Sequence, residues 1–250
     1  MDEVTRRLRA RTGLDVVGCY AFGSGPDHAD ELLAFVTRGT KRATVGAASE
    51  FDALDEPSPA VGQLWGLLDG AGEPRFVAET VELSPGWLDD VTPAFAWDEG
   101  EDDRTLEAWR EGHRTWAAQL GHPDTEPFEV LFERFRIVWP VADRTAWLVE
   151  GVRVARFDER ADLRRAYERA TGSVEVAAAT ERWEVDALPA LVAEQDGRIL
   201  GALPFRPRPN GAVLTFGVTR FGGDEGVAQR LTRALAMLGE QHGWRHQIGA

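Results

Sequence analysis

The sequence predicts an α+β protein in two modules: a first built around a small sheet or barrel with flanking helices, then a second of mixed character. Three observations lead there. Strand and helix patterns mix along the chain without regular βαβ alternation, which argues against a doubly wound parallel sheet. Charge is uneven, with 27 acidic and 13 basic residues in 1–140, a balance of −14, against 15 of each in 141–250. Pro140 ends a long apolar strand pattern and the character changes after it, so the modules are read as 1–140 and 141–250. Nine Trp and twelve Phe supply a sizeable core, and a 43% hydrophobic chain is too apolar to stay disordered.

Residues 2–12 read as a short helix ended by Gly13. Asp27 is read as the N-cap of a helix with Ala29, Leu32, Leu33, Phe35 and Val36 on its apolar side, closed by Gly39. Thr40 to Val45 follows as an extended segment, and two prolines with a glycine mark 56–62 as a loop. Leu64–Leu68 and Arg75–Leu83 are strands joined by Asp69-Gly70-Ala71-Gly72. The acidic run Asp98–Asp103 precedes a helix from Thr105 to Leu120, on which Leu106, Trp109, His113 and Trp116 share a face. Phe128–Trp139 is a long strand. In the second module a helix at 158–170 leads to three strands, 190–194, 198–205 and 212–218, with Asp196-Gly197 turning between the first two. A final helix spans 227–240.

No apolar run approaches the ~20 residues that cross a bilayer, and the N-terminal MDEVTRRLRARTG has no apolar core of a signal peptide. The single cysteine, Cys19, excludes an internal disulfide and a multi-cysteine metal site, and its expected fate is that of a small buried hydrophobe. His113 reads as structural, and no second histidine offers a metal pair. The expectation is a cytoplasmic, membrane-free protein with no metal and no cofactor. An acidic first module is poorly suited to gripping long nucleic acid, which is held by neutralising many phosphates. That points to a small, weakly charged substrate, with no DNA expected.

Of 28 basic residues, 27 are arginine and one is lysine, Lys41. A surface cation can be arginine at no cost. Lysine differs because its amine can give up a proton when desolvated and then act as base or nucleophile. Lys41 is the leading single-residue candidate.

The stretch from Phe22 to Val138 resembles an ASCH-domain protein of the PUA-like β-barrel superfamily. The resemblance runs in order through FGSGPDHADELLAFVTRGTKRAT (22–44), the Glu50-Phe51 pair, VGQLWGLLDGAGEPRFVAETVE (61–82), FAWDEGEDDRTLEAWREGH (95–113) and FERFRIV (132–138). Its most specific element is Gly39-x-Lys41-x-x-Thr44 after an amphipathic helix, with an acidic stretch leading into a helix much later. It implies a small barrel whose cleft holds a nucleoside or a short piece of RNA. Some small bacterial proteins of this group hydrolyse the acetyl amide of N4-acetylcytidine. Their catalytic Lys and Thr match Lys41 and Thr44, and their catalytic Glu matches Glu99, with Glu101 a rival two residues away. Phe22, Ser24, Glu50, Phe51 and Arg104 are substrate-binding residues by resemblance.

Amide hydrolysis needs a nucleophile, a base to activate it and an acid for the leaving nitrogen. Lys41 would take a proton from the Thr44 hydroxyl or from water, and Glu99 would protonate the departing amine. A spacing of three puts Lys41 and Thr44 on opposite faces of a regular strand, so the pair requires a turn or an irregular start to the strand. The alternative is a barrel that binds RNA or a nucleotide without chemistry.

Residues 183–245 resemble part of a GCN5-related N-acetyltransferase, through ALPALVAEQDGRILGALPFRP (187–207) and GGDEGVAQRLTRALAMLGEQHGWR (222–245). The second segment matches the loop and helix that hold the acetyl-CoA pyrophosphate, with Gly226 and Ala228 at its small-residue positions. Two departures stand out. Gly223 replaces the usual Gln or Arg, with Asp224 and Glu225 after it, and carboxylates repel a pyrophosphate. The chain also stops at Ala250, short of the fold's later strands. The expectation is a partial α/β module used for packing or for completing a homodimer, with acetyl transfer as a third reading.

Overall fold

The computed structural model describes residues 2–49, 59–122, 127–140, 147–149, 151–222 and 226–248. The chain divides into two compact units. The first comprises Met1–Val91, Asp98–Glu101 and Arg110–Arg144; the second comprises Thr92–Trp97, Asp102–Trp109 and Thr145–Ala250. Both mix helices and sheet, and six α-helices lie among the described residues.

The first unit opens with helix α1, Glu3–Thr12, where the Asp2 carboxylate accepts the Thr5 N–H at 2.7 Å and Gly13 closes the end in the left-handed conformation. Five strands follow: β1 (Val16–Ala21), β2 (Ala43–Ala47), β3 (Leu64–Leu68), β4 (Pro74–Trp87) and β5 (Glu129–Trp139). Their order is β1-β3-β4-β5-β2, with β1 parallel to β3 and every other pair antiparallel. The long β4–β5 ladder shifts register at Val77/Ala78 and again at Thr80/Glu82, and such bulges bend and twist a sheet. The result is a curled sheet.

Helix α2 (Pro26–Arg38) buries Ala29, Leu32, Leu33 and Val36, and the last three pack with Phe22, Leu67, Phe76 and Phe135. Its N-cap is Gly25, with Pro26 in the first turn, so the assignment of Asp27 as cap is corrected. Proline suits that position because its missing N–H would have no helical partner there. On another side of the sheet Leu8 of α1 packs with Val16 and Val77.

Helix α3 (Pro93–Glu99), which the sequence did not announce, and helix α4 (Leu106–Gln119) come between β4 and β5. Asp98 and Glu99, read as part of a run preceding a helix, are instead the last residues of α3.

In the second unit a seven-stranded sheet carries β6 (Trp147–Val149), β7 (Val152–Val154), β10 (Ala190–Gln195), β11 (Arg198–Arg208), β12 (Ala212–Thr215), β13 (Thr219–Arg220) and β14 (His246–Ile248). Strands β8 (Glu175–Ala178) and β9 (Glu181–Glu184) form a separate hairpin. The expected single strand at 212–218 is broken: β12 pairs with residues 205–208 of β11 and β13 with 201–202, and Gly217 at φ 79° lies between them. Helix α5 (Arg160–Thr171) buries Leu163 and Tyr167, and helix α6 (Gly226–His242) buries Val227, Leu231, Ala234, Leu235 and Leu238. The α6 residues pack on Leu191, Leu203, Phe205 and Trp97. Strand β14 runs parallel to β12, so one strand does follow the helix on which the sequence reading ended. Among the described residues no helix is long and apolar enough to cross a membrane.

Candidate active site around Lys41

The last turn of α2 sets the position of Lys41. Gly39 takes φ 83°, and its N–H reaches the carbonyls of Phe35 and Val36. The Phe35 carbonyl also accepts the N–H groups of Thr40 and Lys41, at 3.0 and 3.2 Å. Regular strand begins only at Ala43, two residues after Lys41. The alternation that would oppose Lys41 to Thr44 therefore does not yet apply at Lys41.

Thr44 lies opposite Glu133 in the β2–β5 register, and directly opposed residues share a face. Glu133 shares that face with Phe135, two residues along β5. The Phe135 ring stacks on Phe22 at 5.9 Å, and the Lys41 amine lies 5.0 Å from the centre of the Phe22 ring. Lys41, Thr44 and Phe22 are thus gathered on one side of the sheet.

The acidic run supplies the partners. The Arg42 N–H donates to the Asp98 carbonyl at 2.6 Å, which pins the end of α3 beside the start of β2. Gly100 has φ 75°, and a Cβ there would sit 2.4 Å from the Thr40 carbonyl oxygen and 2.8 Å from the Lys41 nitrogen. Only glycine allows this approach without strain. It delivers two carboxylates to one amine: Lys41 Nζ pairs with Glu101 Oε1 and lies 3.7 Å from Glu99 Oε1. The other Glu99 oxygen is 3.6 Å from His113 Nε2. The Lys41 and Glu99 side chains are 1% and 2% exposed, whereas Glu101 is 23% exposed.

Withdrawing an ion from water costs several kcal/mol even after relaxation. Opposite charges at this separation attract by about 4 kcal/mol at an effective dielectric constant near 20. One carboxylate therefore roughly offsets the burial of the ammonium, and the second holds it in place. Both glutamates named from the sequence meet the lysine. Glu101 makes the close contact, and Glu99 is the one sealed from solvent.

Ser24 is exposed, and its backbone N–H donates to His28 Nδ1 at 3.3 Å. Glu50 and Phe51 fall outside the described residues. Arg104 belongs to the second unit, where its guanidinium stacks 3.5 Å over the Trp97 ring and its Nε donates to the Trp97 carbonyl at 3.0 Å. Gly226 is the first residue of α6 and Ala228 is partly exposed in its first turn, while Gly223, Asp224 and Glu225 are outside the described residues. The second unit also holds an open cavity of about 820 Å³, bordered by charged residues including Arg156, Asp162, Arg169 and Arg198, and none of the predicted residues lines it. Among the described residues no cluster of His, Cys, Asp and Glu is fit to hold a metal ion.

One residue went unmarked. Glu133 is buried, and the fully buried Thr80 hydroxyl donates to its Oε1 at 2.5 Å. Burial raises its pKa above the ordinary carboxyl value, against a smaller lowering by Thr80. Tyr20 is pushed far upward, by its own burial first and then by the charge of Glu133. The signal was present in FERFRIV, since alternation from Phe135 and Ile137 puts Glu133 on the inner face.

Residues 18–139 match the family model of the ASCH domain. No curated protein matches the chain. Among solved structures the chain is similar to the ASCH domain from Lactobacillus crispatus JV V101, at 24% identity over 55% of this chain and 96% of that one, with a TM-score of 0.49. A protein from Enterococcus faecalis V583 matches at 23% identity over 53% of this chain and 84% of that one, with a TM-score of 0.45. The C-terminal part is similar to a GNAT family acetyltransferase from Brucella melitensis solved with acetyl-CoA, at 23% identity over 40% of this chain and 75% of that one, with a TM-score of 0.32.

Proposed function

We propose that this chain, whose residues 18–139 match the family model of the ASCH domain, hydrolyses the acyl amide of a modified nucleoside of the N4-acetylcytidine type. The observation that carries the reading is the sealed pair of Lys41 and Glu99. In a poorly solvated site, moving one proton from the ammonium to the carboxylate converts an ion pair into a neutral amine and a neutral acid. Such a transfer leaves the two reagents amide hydrolysis needs, an amine base and a carboxylic acid.

The Lys41 amine removes a proton from the Thr44 hydroxyl, or from a water beside it. The freed oxygen adds to the acyl carbonyl carbon. As the tetrahedral adduct collapses, the carbon–nitrogen bond breaks, and the Glu99 carboxyl gives its proton to the exocyclic nitrogen. When Thr44 is the nucleophile, the ammonium first passes its proton to the Glu99 carboxylate, and the restored amine then takes a proton from a water that attacks the ester and returns that proton to the departing Thr44 oxygen. The acyl group leaves as a carboxylate and the nucleoside as its free amine. Glu101, at the edge of the site, steadies the ammonium between turnovers. The acidic balance of residues 1–140 favours a single nucleoside over a polyanion.

The test is release of acetate from N4-acetylcytidine by the full chain, beside Lys41→Arg and Thr44→Ala. Release that is lost in Lys41→Arg and is nearly flat in salt supports the hydrolase. No release, with RNA binding that weakens steeply as salt rises, replaces it with a binding role.

A further inference from the structure

The hydrolase reading uses Lys41, Thr44 and Glu99 and leaves one buried acid on the same face without a task. Glu133 sits directly across from Thr44, so their Cβ atoms are about 5 Å apart. It is 8% exposed. Among the described residues no cationic side chain pairs with it; the neighbouring Arg134 pairs instead with Asp98 and Glu82. Its contacts are the Thr80 hydroxyl, which fills one lone pair of Oε1, and the environment of Tyr20. Tyr20 in turn packs edge-on against Phe22 at 5.4 Å and Trp65 at 6.0 Å, and the buried Trp65 Nε1 has no hydrogen-bond partner among the described residues.

From this placement, and resting on the hydrolase reading, we infer that Glu133 is the residue that recognises the pyrimidine: its carboxyl O–H donates to the acceptor N3 of a cytosine-type base. The physical case has three parts. Burial without a compensating cation favours the neutral acid, and it outweighs the Thr80 hydroxyl, which pulls the other way. In that form one oxygen accepts from Thr80 while the other carries a proton to give. A cytosine ring offers acceptors at N3 and O2, whereas uracil carries a hydrogen on N3, so a donor at this point separates the two bases. A site built around a hydrogen bond rejects the analogue that leaves its polar group unmatched.

The same bond assists the chemistry. As the acyl–nitrogen bond breaks, electron density moves onto the exocyclic nitrogen and its conjugated N3. A donor at N3 holds that density more strongly in the transition state than in the substrate, and only such differential binding raises the rate. Glu133 therefore contributes to kcat as well as to KM.

The experiment uses the full chain and Glu133→Gln and Glu133→Ala. Calorimetric titration measures cytidine and uridine binding, and acetate release from N4-acetylcytidine gives kcat and KM. Glutamine keeps an N–H donor and a carbonyl for Thr80, so Glu133→Gln should retain the preference for cytidine over uridine, with weakened binding and turnover. Glu133→Ala should lose about 10- to 100-fold in cytidine affinity and in kcat/KM, and with it the preference for cytidine over uridine. Wild-type levels of preference and turnover in Glu133→Ala overturn the inference, as does a native chain that binds cytidine no better than uridine. If the alanine variant fails to fold, Glu133→Leu, which keeps the bulk without a donor, takes its place, and an unchanged cytidine preference in that folded variant overturns the inference. A native chain that prefers cytidine through Glu133 but releases no acetate retains the recognition role and rejects the hydrolase.

Discussion

Lys41 Nζ lies 3.7 Å from Glu99 Oε1, and the two side chains are almost completely sealed from solvent. Removing either partner should do more than weaken a contact. Lys41→Met removes the ammonium that sits between Glu99 and Glu101, and breaking a buried pair from one side costs about 3–5 kcal/mol. A clear drop in Tm should accompany the loss of hydrolysis. Glu99→Gln keeps the shape but cannot give up a proton, and kcat should fall about 10²- to 10⁴-fold. Glu101→Gln, at the exposed edge, should cost about tenfold or less, since wet ion pairs contribute little. Measured kcat values for Glu99→Gln and Glu101→Gln therefore settle which glutamate acts.

Gly100→Ala tests the brace that brings the carboxylates to Lys41. The new methyl meets the Thr40 carbonyl at 2.4 Å in a left-handed backbone. The conformation alone costs about 1–2 kcal/mol, and the overlap forces the two segments apart. Chemical denaturation should show a stability loss above that figure, and turnover should fall with every catalytic side chain unchanged.

His242 gives the second unit a pH dependence of calculable sign. Its pKa is lowered from 6.5 to about 4, by burial first and then by the Arg104 cation. It is stacked against Trp244 and lies beside Trp97. The folded state therefore holds the neutral ring and the unfolded state takes up a proton more readily. The stabilisation is complete above about pH 6.5 and is lost as pH falls through about 4. Thermal melting from pH 7 to 4 should fall less steeply for His242→Gln than for the native chain. Parallel curves would show that the ring does not titrate as described.

Arg153 is buried, and it pairs with Glu159 at 2.6 Å and with Glu194. Burial on its own would raise the Glu159 carboxyl, but the Arg153 hydrogen bonds outweigh it and the net pKa is lowered. A lowered folded pKa means stability present above the ordinary carboxyl value and lost as pH drops below it. Arg153→Met should destabilise the chain by about 3–5 kcal/mol at neutral pH, and the deficit in urea unfolding should narrow as the solution is acidified.

Much of the site could be read before any coordinates. The glycine that ends α2, the lone lysine after it and the acidic run all carry their chemistry in residue type and spacing, and they meet where the pattern placed them. Helix α3 was hidden because Ala94, Phe95, Ala96 and Trp97 are all buried. An element buried all round has no polar face to give it a 3.6-residue period. Strand β1 was short and interrupted by Gly18, which lowers strand propensity. Glu133 was overlooked for the opposite reason: an acid in an apolar strand reads as an outward residue until the alternation is followed from Phe135. Arg104 was named by resemblance, and in the structure it falls in the second unit with its guanidinium stacked on Trp97.

The burial of Lys41 has a practical side. It is the sole lysine in the chain and is 1% exposed, so amine-directed reagents find no lysine on the folded surface. Acylating probes, isothiocyanates and lysine crosslinkers would reach an ε-amine only when the contact with Glu101 opens. Labelling at Lys41 then becomes a clock for that opening, free of the background that a lysine-rich surface would impose.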